Sequence, residues 1–405
     1  MLANSLYALL GAIFGILLGG MPRVSRSFQN WRYRHKIENR RAAATSGAID
    51  HWLLEYYDER GCQLFYSKIN GQSKYVPVLS RKELTFSREL DPSSDWPLQV
   101  EPEPARPFPI DHKLLDKRRK LGAVLFQSWR KSMYLDTISL GSAPEIIIRP
   151  CEYFEIATTL IGLEEETYKS IISSRRLPWK HGAKTPLRDA HWQTIPIDGH
   201  KQLLPLSVGS NTVLVVKVGD EYQVAIQTRA ETVITSPNAK AVIPNFGFEP
   251  NAFGGGKSTY GIVFYNFIRE YLEELFDYEE IIGRSKWAQN PDWFLRLPEA
   301  KTLLNALRRN QLSMVYLGTG IECLSGTTTL ALLVIIEDSE VVSELMQKVS
   351  PNYEVAKPST SQVPVEFVNI NDARLGIWHD QGRYQASTAF ALSLALNYLR
   401  EQAHV

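Results

Sequence analysis

Residues 258–278 read STYGIVFYNFIREYLEELFDY, and this stretch decides which fold the sequence predicts. Its apolar residues recur at helical spacing, so we predict one long helix whose apolar face packs on a sheet. Within it, Glu270, Glu273 and Glu274 stand at positions i, i+3 and i+4, so their carboxylates share one helix face. Like charges at this spacing repel one another. The carboxylates are therefore expected to be exposed to solvent, paired with Arg269, or neutralised by a divalent cation such as magnesium.

The segments on either side of this helix predict a sheet. Runs rich in β-branched residues indicate strands, and the dipeptide Gly219-Asp220 joins two of them as a hairpin. Strands are predicted at residues 206–208, 212–218, 222–229, 241–244, 312–317, 328–336 and 365–368, and further helices at 298–309 and 385–400. Residues 112–180 are predicted to be mostly helical. This mixture indicates an α+β fold, an α/β/α sandwich with one mixed sheet.

The N-terminus carries a long apolar stretch. Residues 2–21 contain no charged side chain, and a helix of about 20 apolar residues spans a bilayer. The alternatives are a buried helix of a soluble protein and a cleaved signal peptide, but the basic start and small-residue cleavage site of a signal peptide are missing. Basic residues between Arg23 and Arg41 follow directly, which keeps the rest of the chain on the cytoplasmic side. We therefore predict a transmembrane helix over residues 1–22 with the N-terminus outside.

Three glycines lie on one face of this predicted helix. Gly11, Gly15 and Gly19 are four residues apart, and glycines at this spacing let two helices approach closely in a membrane. The spacing predicts that the helix associates with copies of itself. The protein is therefore expected to be a homo-oligomer in contact with membrane lipid.

The remaining chain divides by composition. A basic juxtamembrane segment with a small α/β unit is predicted at residues 23–90, a proline-rich linker at 91–111 and a larger domain at 112–405. The dipeptide Asn70-Gly71 predicts a hairpin inside the small unit. Lys and Arg total 45 against 44 for Asp and Glu, so the overall charge gives no indication of a nucleic-acid polymer as partner. The three cysteines lack the spacing of a disulfide framework or a zinc site.

The string R-E-x-x-E-E at residues 269–274 resembles the core of the Nudix box, the signature of a family of magnesium-dependent hydrolases. Residues 243–249 (IPNFGFE) are similar to the strand and turn that precede the box in that family. Gly261, however, stands in place of the upstream glutamate of the box, and Phe276 in place of its late glycine. The resemblance implies a Nudix-like fold with a ligand cleft, while the altered box makes hydrolysis doubtful.

The run from about residue 134 to the last helix is similar to a divergent Nudix-like domain that occurs in bacteria beside nucleotidyltransferases making cyclic oligonucleotides. Residues 387–395 resemble the small-residue C-terminal helix of that group. Together with the predicted transmembrane helix, the whole chain resembles a TM-Nudix effector of cyclic-oligonucleotide-based antiphage signalling (CBASS).

This resemblance implies that the protein binds a cyclic oligonucleotide from a partner nucleotidyltransferase and disrupts the bacterial inner membrane in antiphage defence. The expected ligand-binding residues are Arg229, Asn245, Gly247, Glu249, Gly255, Lys257 and Arg269. Magnesium is the candidate cofactor, and it would be held by Glu270, Glu273 and Glu274. The alternative is a membrane-anchored, magnesium-dependent Nudix hydrolase of nucleoside diphosphate-linked compounds.

Overall fold

The computed structural model describes most of the chain after its N-terminal segment. The described residues are 47–102, 107–120, 125, 131–140, 144–176, 184–193, 204–230, 236, 238–253, 256–278, 291–352, 355 and 365–402. The predicted transmembrane helix lies outside them with Gly11, Gly15 and Gly19, and so does Gly255. Within the described part of the chain, no helix has the length and apolar character needed to cross a membrane.

Strands and helices are numbered in chain order. The strands are β1 (Leu64–Ile69), β2 (Gln72–Leu79), β3 (Arg88–Glu89), β4 (Leu98–Val100), β5 (Lys131–Ser139), β6 (Glu145–Glu152), β7 (Val208–Val218), β8 (Glu221–Thr228), β9 (Lys240–Val242), β10 (Asn245–Gly247), β11 (Ala252–Phe253), β12 (Gly256–Lys257), β13 (Leu312–Glu322), β14 (Thr328–Ile336) and β15 (Val365–Asn369). The helices are α1 (Ala48–Asp58), α2 (His112–Lys120), α3 (Tyr153–Arg176), α4 (Pro186–Gln193), α5 (Ile262–Phe276), α6 (Pro298–Arg308), α7 (Ser339–Lys348), α8 (Ala373–Asp380) and α9 (Ala386–Glu401).

The fold is a mixed α+β arrangement around a curled mixed sheet, which confirms the predicted class at this level. Strands β1, β2, β13, β14, β7, β8 and β15 are neighbours in that order, and β3, β9 and β10 pair at the sides of this path. Strands β14 and β7 run parallel, and the other described pairs of this sheet are antiparallel. Strand β10 pairs with residues 209–211 at the start of β7, and β8 pairs with residues 215–218 at its end. Strand β7 therefore lies where the sheet changes partners.

Helices cover both faces of the central sheet. Leu214 and Val216 of β7 belong to an apolar cluster with residues of α5, α6 and α7. Val213 and Val215 belong to a second cluster with residues of α8 and α9. A strand buried on both faces needs apolar side chains at successive positions, because neighbouring side chains point to opposite sides. This requirement explains the unbroken apolar runs of β7 and β14.

The hairpin predicted around Asn70-Gly71 is confirmed. Both residues have positive φ, 41° and 84°, as a two-residue type I′ turn requires. Strand β2 of this hairpin also pairs with β13, where Leu79 lies opposite Ile321. The hairpin of the predicted small unit and the strands of the predicted larger domain therefore share one sheet.

A second sheet of three strands, in the order β4, β6, β5, contains segments for which the sequence predicted other structures. The sequence predicts residues 112–180 to be mostly helical, and this is wrong for residues 131–139 and 145–152, which form the antiparallel pair β5 and β6. The predicted linker contributes β4, which pairs with β6 at the edge of the sheet. Pro97 and Pro102 flank this short strand. An edge strand tolerates nearby prolines because one side of it needs no backbone donors.

Candidate functional site

Helix α5 carries the acidic residues and begins at Ile262, four residues later than the sequence suggested. The preceding residues 258–260 are held in a turn by Asp292, which accepts a hydrogen bond from the Ser258 hydroxyl at 2.5 Å. The Asp95 carboxylate accepts a hydrogen bond from the Ile262 amide at 2.7 Å. A carboxylate at this place satisfies one of the free N–H groups at a helix start.

Gly261 stands directly before α5, where the Nudix box has its upstream glutamate. A Cβ added to Gly261 would lie 1.9 Å from the carbonyl oxygen of Ser94, far inside van der Waals contact. The Gly261 amide also donates to the carbonyl of Pro92 at 2.9 Å. The start of the predicted linker thus packs against the start of α5. This departure from the box has a steric cause.

Arg269 organises the acidic face of α5. Its guanidinium is fully buried and contacts Glu270 Oε1 at 2.5 Å and Glu273 Oε2 at 3.0 Å. Glu249 lies 4.0 Å away on the segment after β10. Glu270, Glu273 and Glu274 are all buried, so they do not form an exposed acidic face. The structure shows Glu270 and Glu273 paired with Arg269.

The backbone before the helix is joined to this network. Asn266 accepts a hydrogen bond from the Glu249 amide at 3.0 Å and donates one to the Glu249 carbonyl at 2.9 Å. Arg269 donates to the Gly247 carbonyl at 3.5 Å. The turn with the sequence GFE is therefore fixed on the helix that carries the acidic residues.

Glu274 forms a link away from Arg269. One oxygen of its carboxylate accepts a hydrogen bond from the backbone N–H of Asn245 at 3.1 Å. The Asn245 side chain in turn donates to the Gln385 side-chain oxygen at 3.0 Å, and Gln385 precedes α9. This chain of hydrogen bonds connects the acidic helix with the helices on the opposite face of the sheet.

The residues as arranged do not fit a magnesium ion. Glu270 and Glu273 both direct carboxylate oxygens at Arg269. Among the described residues, no group of three or more His, Cys, Asp or Glu side chains is placed to hold a metal. This arrangement supports no metal-dependent reaction step, and the predicted magnesium site stays a prediction.

The predicted ligand-binding residues do not converge at one place. Asn245, Gly247, Glu249 and Arg269 belong to the network just described. Lys257 is exposed at the start of α5 and pairs with Asp95 at 2.7 Å. Arg229 lies at the end of β8, is buried, and has a side-chain Nε without a hydrogen-bond partner among the described residues.

A cavity of about 730 Å³ lies near Arg229. It is bounded by α1, by the segment after α8, and by the ends of β8, β9 and β13. Its lining includes Asp50, Lys240, Glu322, Trp378, Arg383 and Tyr384. Gln385 lines it too, so the hydrogen-bond chain from Glu274 ends in the cavity wall.

Two carboxyl groups in the cavity wall have perturbed pKa values. Burial is the main cause that raises the pKa of Glu322 to about 7, and the nearby charge of Arg229 partly opposes the shift. Burial also raises the pKa of Asp50 to about 6, against the effect of Lys74. Perturbed carboxyl groups in a concave site are a recurring mark of function.

Cationic and aromatic side chains form other parts of the wall. Lys240 pairs with Glu366 at 2.6 Å, and its ammonium lies 4.5 Å from the centre of the Trp378 ring. Arg383 is exposed, and its guanidinium has no side-chain partner in the part of the chain that the structure describes. The cavity thus combines carboxyl groups, positive charge and aromatic rings.

Sequence reasoning missed this cavity, apart from Arg229 beside it. Its polar residues come from α1, β9, β13 and the segment after α8, which are far apart in the chain. No motif or spacing relates them, because they are brought together by the pairing of strands in the curled sheet and by the packing of α1. The nearest local feature is Gly382, whose φ of 65° marks the turn that places Arg383 and Tyr384 in the wall.

No protein-family model and no curated protein matches this chain.

Proposed function

We propose that this protein is a membrane-anchored effector that senses a cyclic oligonucleotide and disrupts the bacterial inner membrane in antiphage defence. The ligand would be supplied by a partner nucleotidyltransferase. One observation carries the sensing part of this proposal: the cavity between α1 and the strand ends, whose wall contains Lys240, Arg383 and Trp378.

The cavity suits a phosphorylated ligand with aromatic bases. Small-molecule sites commonly have volumes of about 300–1,000 Å³, and this one has about 730 Å³. Arg383 and Lys240 supply positive charge for phosphate groups. Trp378 and Tyr384 present aromatic surface, on which nucleobases stack with about 1–3 kcal/mol per base. Arg229 adds charge close to the same wall.

The acidic helix favours binding over hydrolysis. Hydrolysis by a Nudix enzyme needs free carboxylates around a metal, whereas Glu270 and Glu273 contact the buried Arg269. Breaking such a buried ion pair costs about 3–5 kcal/mol. A metal would have to offset this cost before it could bind.

The finer fold assignment and the membrane anchor belong to the same proposal. A Nudix-like α/β/α sandwich is supported by the R-E-x-x-E-E string on α5, by the turn fixed to it, and by helices on both sheet faces. The anchor is supported by the uncharged residues 2–21. Its cytoplasmic orientation is supported by the basic residues that follow.

Dye-filled liposomes containing the full-length protein test the proposal. Cyclic dinucleotides and trinucleotides are added from outside, and dye release is recorded together with chromatography of the ligand. We expect one of these ligands to release dye and to remain chemically unchanged. Arg383→Glu should abolish the release, while Arg81→Glu, the same change at an exposed position away from the cavity wall, should not.

The rival hydrolase predicts a different result in the same assay. Magnesium-dependent turnover of a nucleoside diphosphate-linked compound, lost in Glu274→Gln, would establish the enzyme and contradict the sensor. The sensor would also be contradicted if the ligands neither release dye nor bind to the protein.

A further inference from the structure

The wall of the cavity contains two carboxyl groups, Asp50 and Glu322, with oxygens that accept no hydrogen bond from the described residues. One oxygen of Glu322 accepts a hydrogen bond from the Ser325 hydroxyl, and the other has no hydrogen-bond partner among the described residues. The Asp50 carboxyl group has no hydrogen-bond partner in the same part of the chain, although the charge of Lys74 acts on it. Glu322 is only 2% exposed and lines the cavity, so its carboxyl group belongs to the cavity wall and not to the outer surface.

These carboxyl groups come from different elements that meet at the cavity. Asp50 lies in the first turn of α1 and Glu322 at the end of β13. They are close enough that the charge of Asp50 disfavours ionisation of Glu322. The carboxyl oxygens that accept no hydrogen bond from the described residues face the space between α1 and β13. They can accept hydrogen bonds from N–H groups of a ligand placed there.

The other walls limit what such a ligand can be. Arg383 and the Lys240 ammonium favour a ligand that also carries negative charge. The Tyr384 hydroxyl is a further buried group without a partner among the described residues. A simple cation would satisfy the carboxyl groups but not the positive side of the cavity. A nucleotide with donors on its base satisfies both.

We propose that Asp50 and Glu322 bind the edge of a purine base that presents adjacent N–H donors, as guanine does. This inference rests on the proposed function, because it takes the cavity to be the nucleotide site. The N1–H and 2-amino groups of guanine are parallel donors that match the two oxygens of a carboxylate. Inosine lacks only the 2-amino group and so removes one of these donors.

Binding of cyclic di-GMP and cyclic di-IMP to the full-length protein in detergent tests this pairing. We expect cyclic di-GMP to bind about tenfold to a hundredfold more tightly, because hydrogen bonds to charged groups contribute about 1.5–3 kcal/mol. Glu322→Gln should remove this preference and Asp50→Asn should reduce it. Glu89→Gln, the same change at an exposed position on β3, should leave it intact. Thermal melting shows whether each variant is folded.

The outcomes separate this inference from the proposed function. Equal binding of the two ligands, or a preference that survives in both carboxyl variants, would overturn the base-reading role while the sensor stands. Failure of every cyclic oligonucleotide to bind would overturn both.

Discussion

At the scale of single residues, Gly261 shows how a motif position is set by its surroundings. The Ser94 carbonyl lies where a side chain would begin, so Gly261→Ala forces the backbone apart. Overpacking of this kind costs about 1–3 kcal/mol. We expect that loss in the free energy of unfolding, measured by urea denaturation.

Gly247→Ala is the matched control for this prediction. The nearest atom to a Cβ on Gly247 is the Val208 carbonyl oxygen at 4.0 Å, so the added methyl group fits. Its effect should stay within about 0.5 kcal/mol. Equal destabilisation by the two substitutions would contradict the steric account.

Arg269 is the residue on which the acidic face depends. Arg269→Met leaves Glu270 and Glu273 buried without their cation, which should lower the free energy of unfolding by about 3–5 kcal/mol. Adding Glu273→Gln removes one of the stranded charges and should restore part of the loss. Chemical denaturation of both variants measures the difference, with Arg308→Met on the surface of α6 as control. No recovery in the double variant would show that charge is not the cause.

Glu322 is expected to make stability depend on pH. Its folded pKa of about 7 lies above the ordinary value of 4.5, so the folded state holds a proton that the unfolded state releases. The stability from this group is fully present below about pH 4.5 and is lost as pH rises through about 7. At 1.36 kcal/mol per unit, the loss is about 3 kcal/mol. Glu322→Gln should therefore gain stability relative to the unchanged protein between about pH 5 and pH 8.

Denaturation of the two proteins at several pH values checks this, and their difference isolates the one group. A difference that stays constant with pH would mean that Glu322 titrates normally.

At the scale of elements, local signals predicted the parts whose structure is determined locally. The hairpin at Asn70-Gly71 and the strands β7 and β14 could be predicted from the sequence because each signal lies in neighbouring residues. Strands β5 and β6 were not predicted because the charged sequence around α2 suggested a longer helix. The pairing of these two strands with each other outweighs that helical preference. The acidic row on α5 was predicted, but its burial beside Arg269 depends on tertiary packing.

Helix α1 is the element expected to respond to ligand. Its first two turns line the cavity through Ile49, Asp50 and Leu53, and its last turn is held by Tyr57, whose hydroxyl accepts from the buried Arg188 at 3.1 Å. Ligand in the cavity should therefore slow hydrogen exchange in the first turns of α1. Mass spectrometry of peptides from residues 48–58 measures this.

Helix α6 serves as the internal reference, because it packs in a different apolar cluster from α1 and contributes no residue to the described lining of the cavity. Protection of α6 and α1 to the same degree would indicate global stabilisation, and unchanged exchange in α1 would contradict a role in sensing.

At the scale of the whole molecule, the position of α1 relates the cavity to the N-terminal segment. Residues 1–46 precede α1 directly, and residues 2–21 are the predicted membrane helix. A ligand shifts an equilibrium between separate and clustered copies only if it binds the clustered state more tightly. Contact of the ligand with Asp50 would give it a differential interaction at the first described helix after the predicted membrane helix in the sequence.

The proposed function assigns ligand binding to the cavity and membrane disruption to the predicted membrane helix, and Gly15→Leu tests this division. The larger side chain should block close approach of helices at the face of Gly11, Gly15 and Gly19. We expect loss of dye release from liposomes with unchanged ligand affinity, because the described residues that line the cavity all follow Gly47. Gly20→Leu, the control, makes the same change on the opposite face of the predicted helix, because Gly20 is not three, four or seven residues from any of the three glycines, and it should retain release. Loss of affinity together with release in Gly15→Leu would mean that the two functions are not divided between the segments.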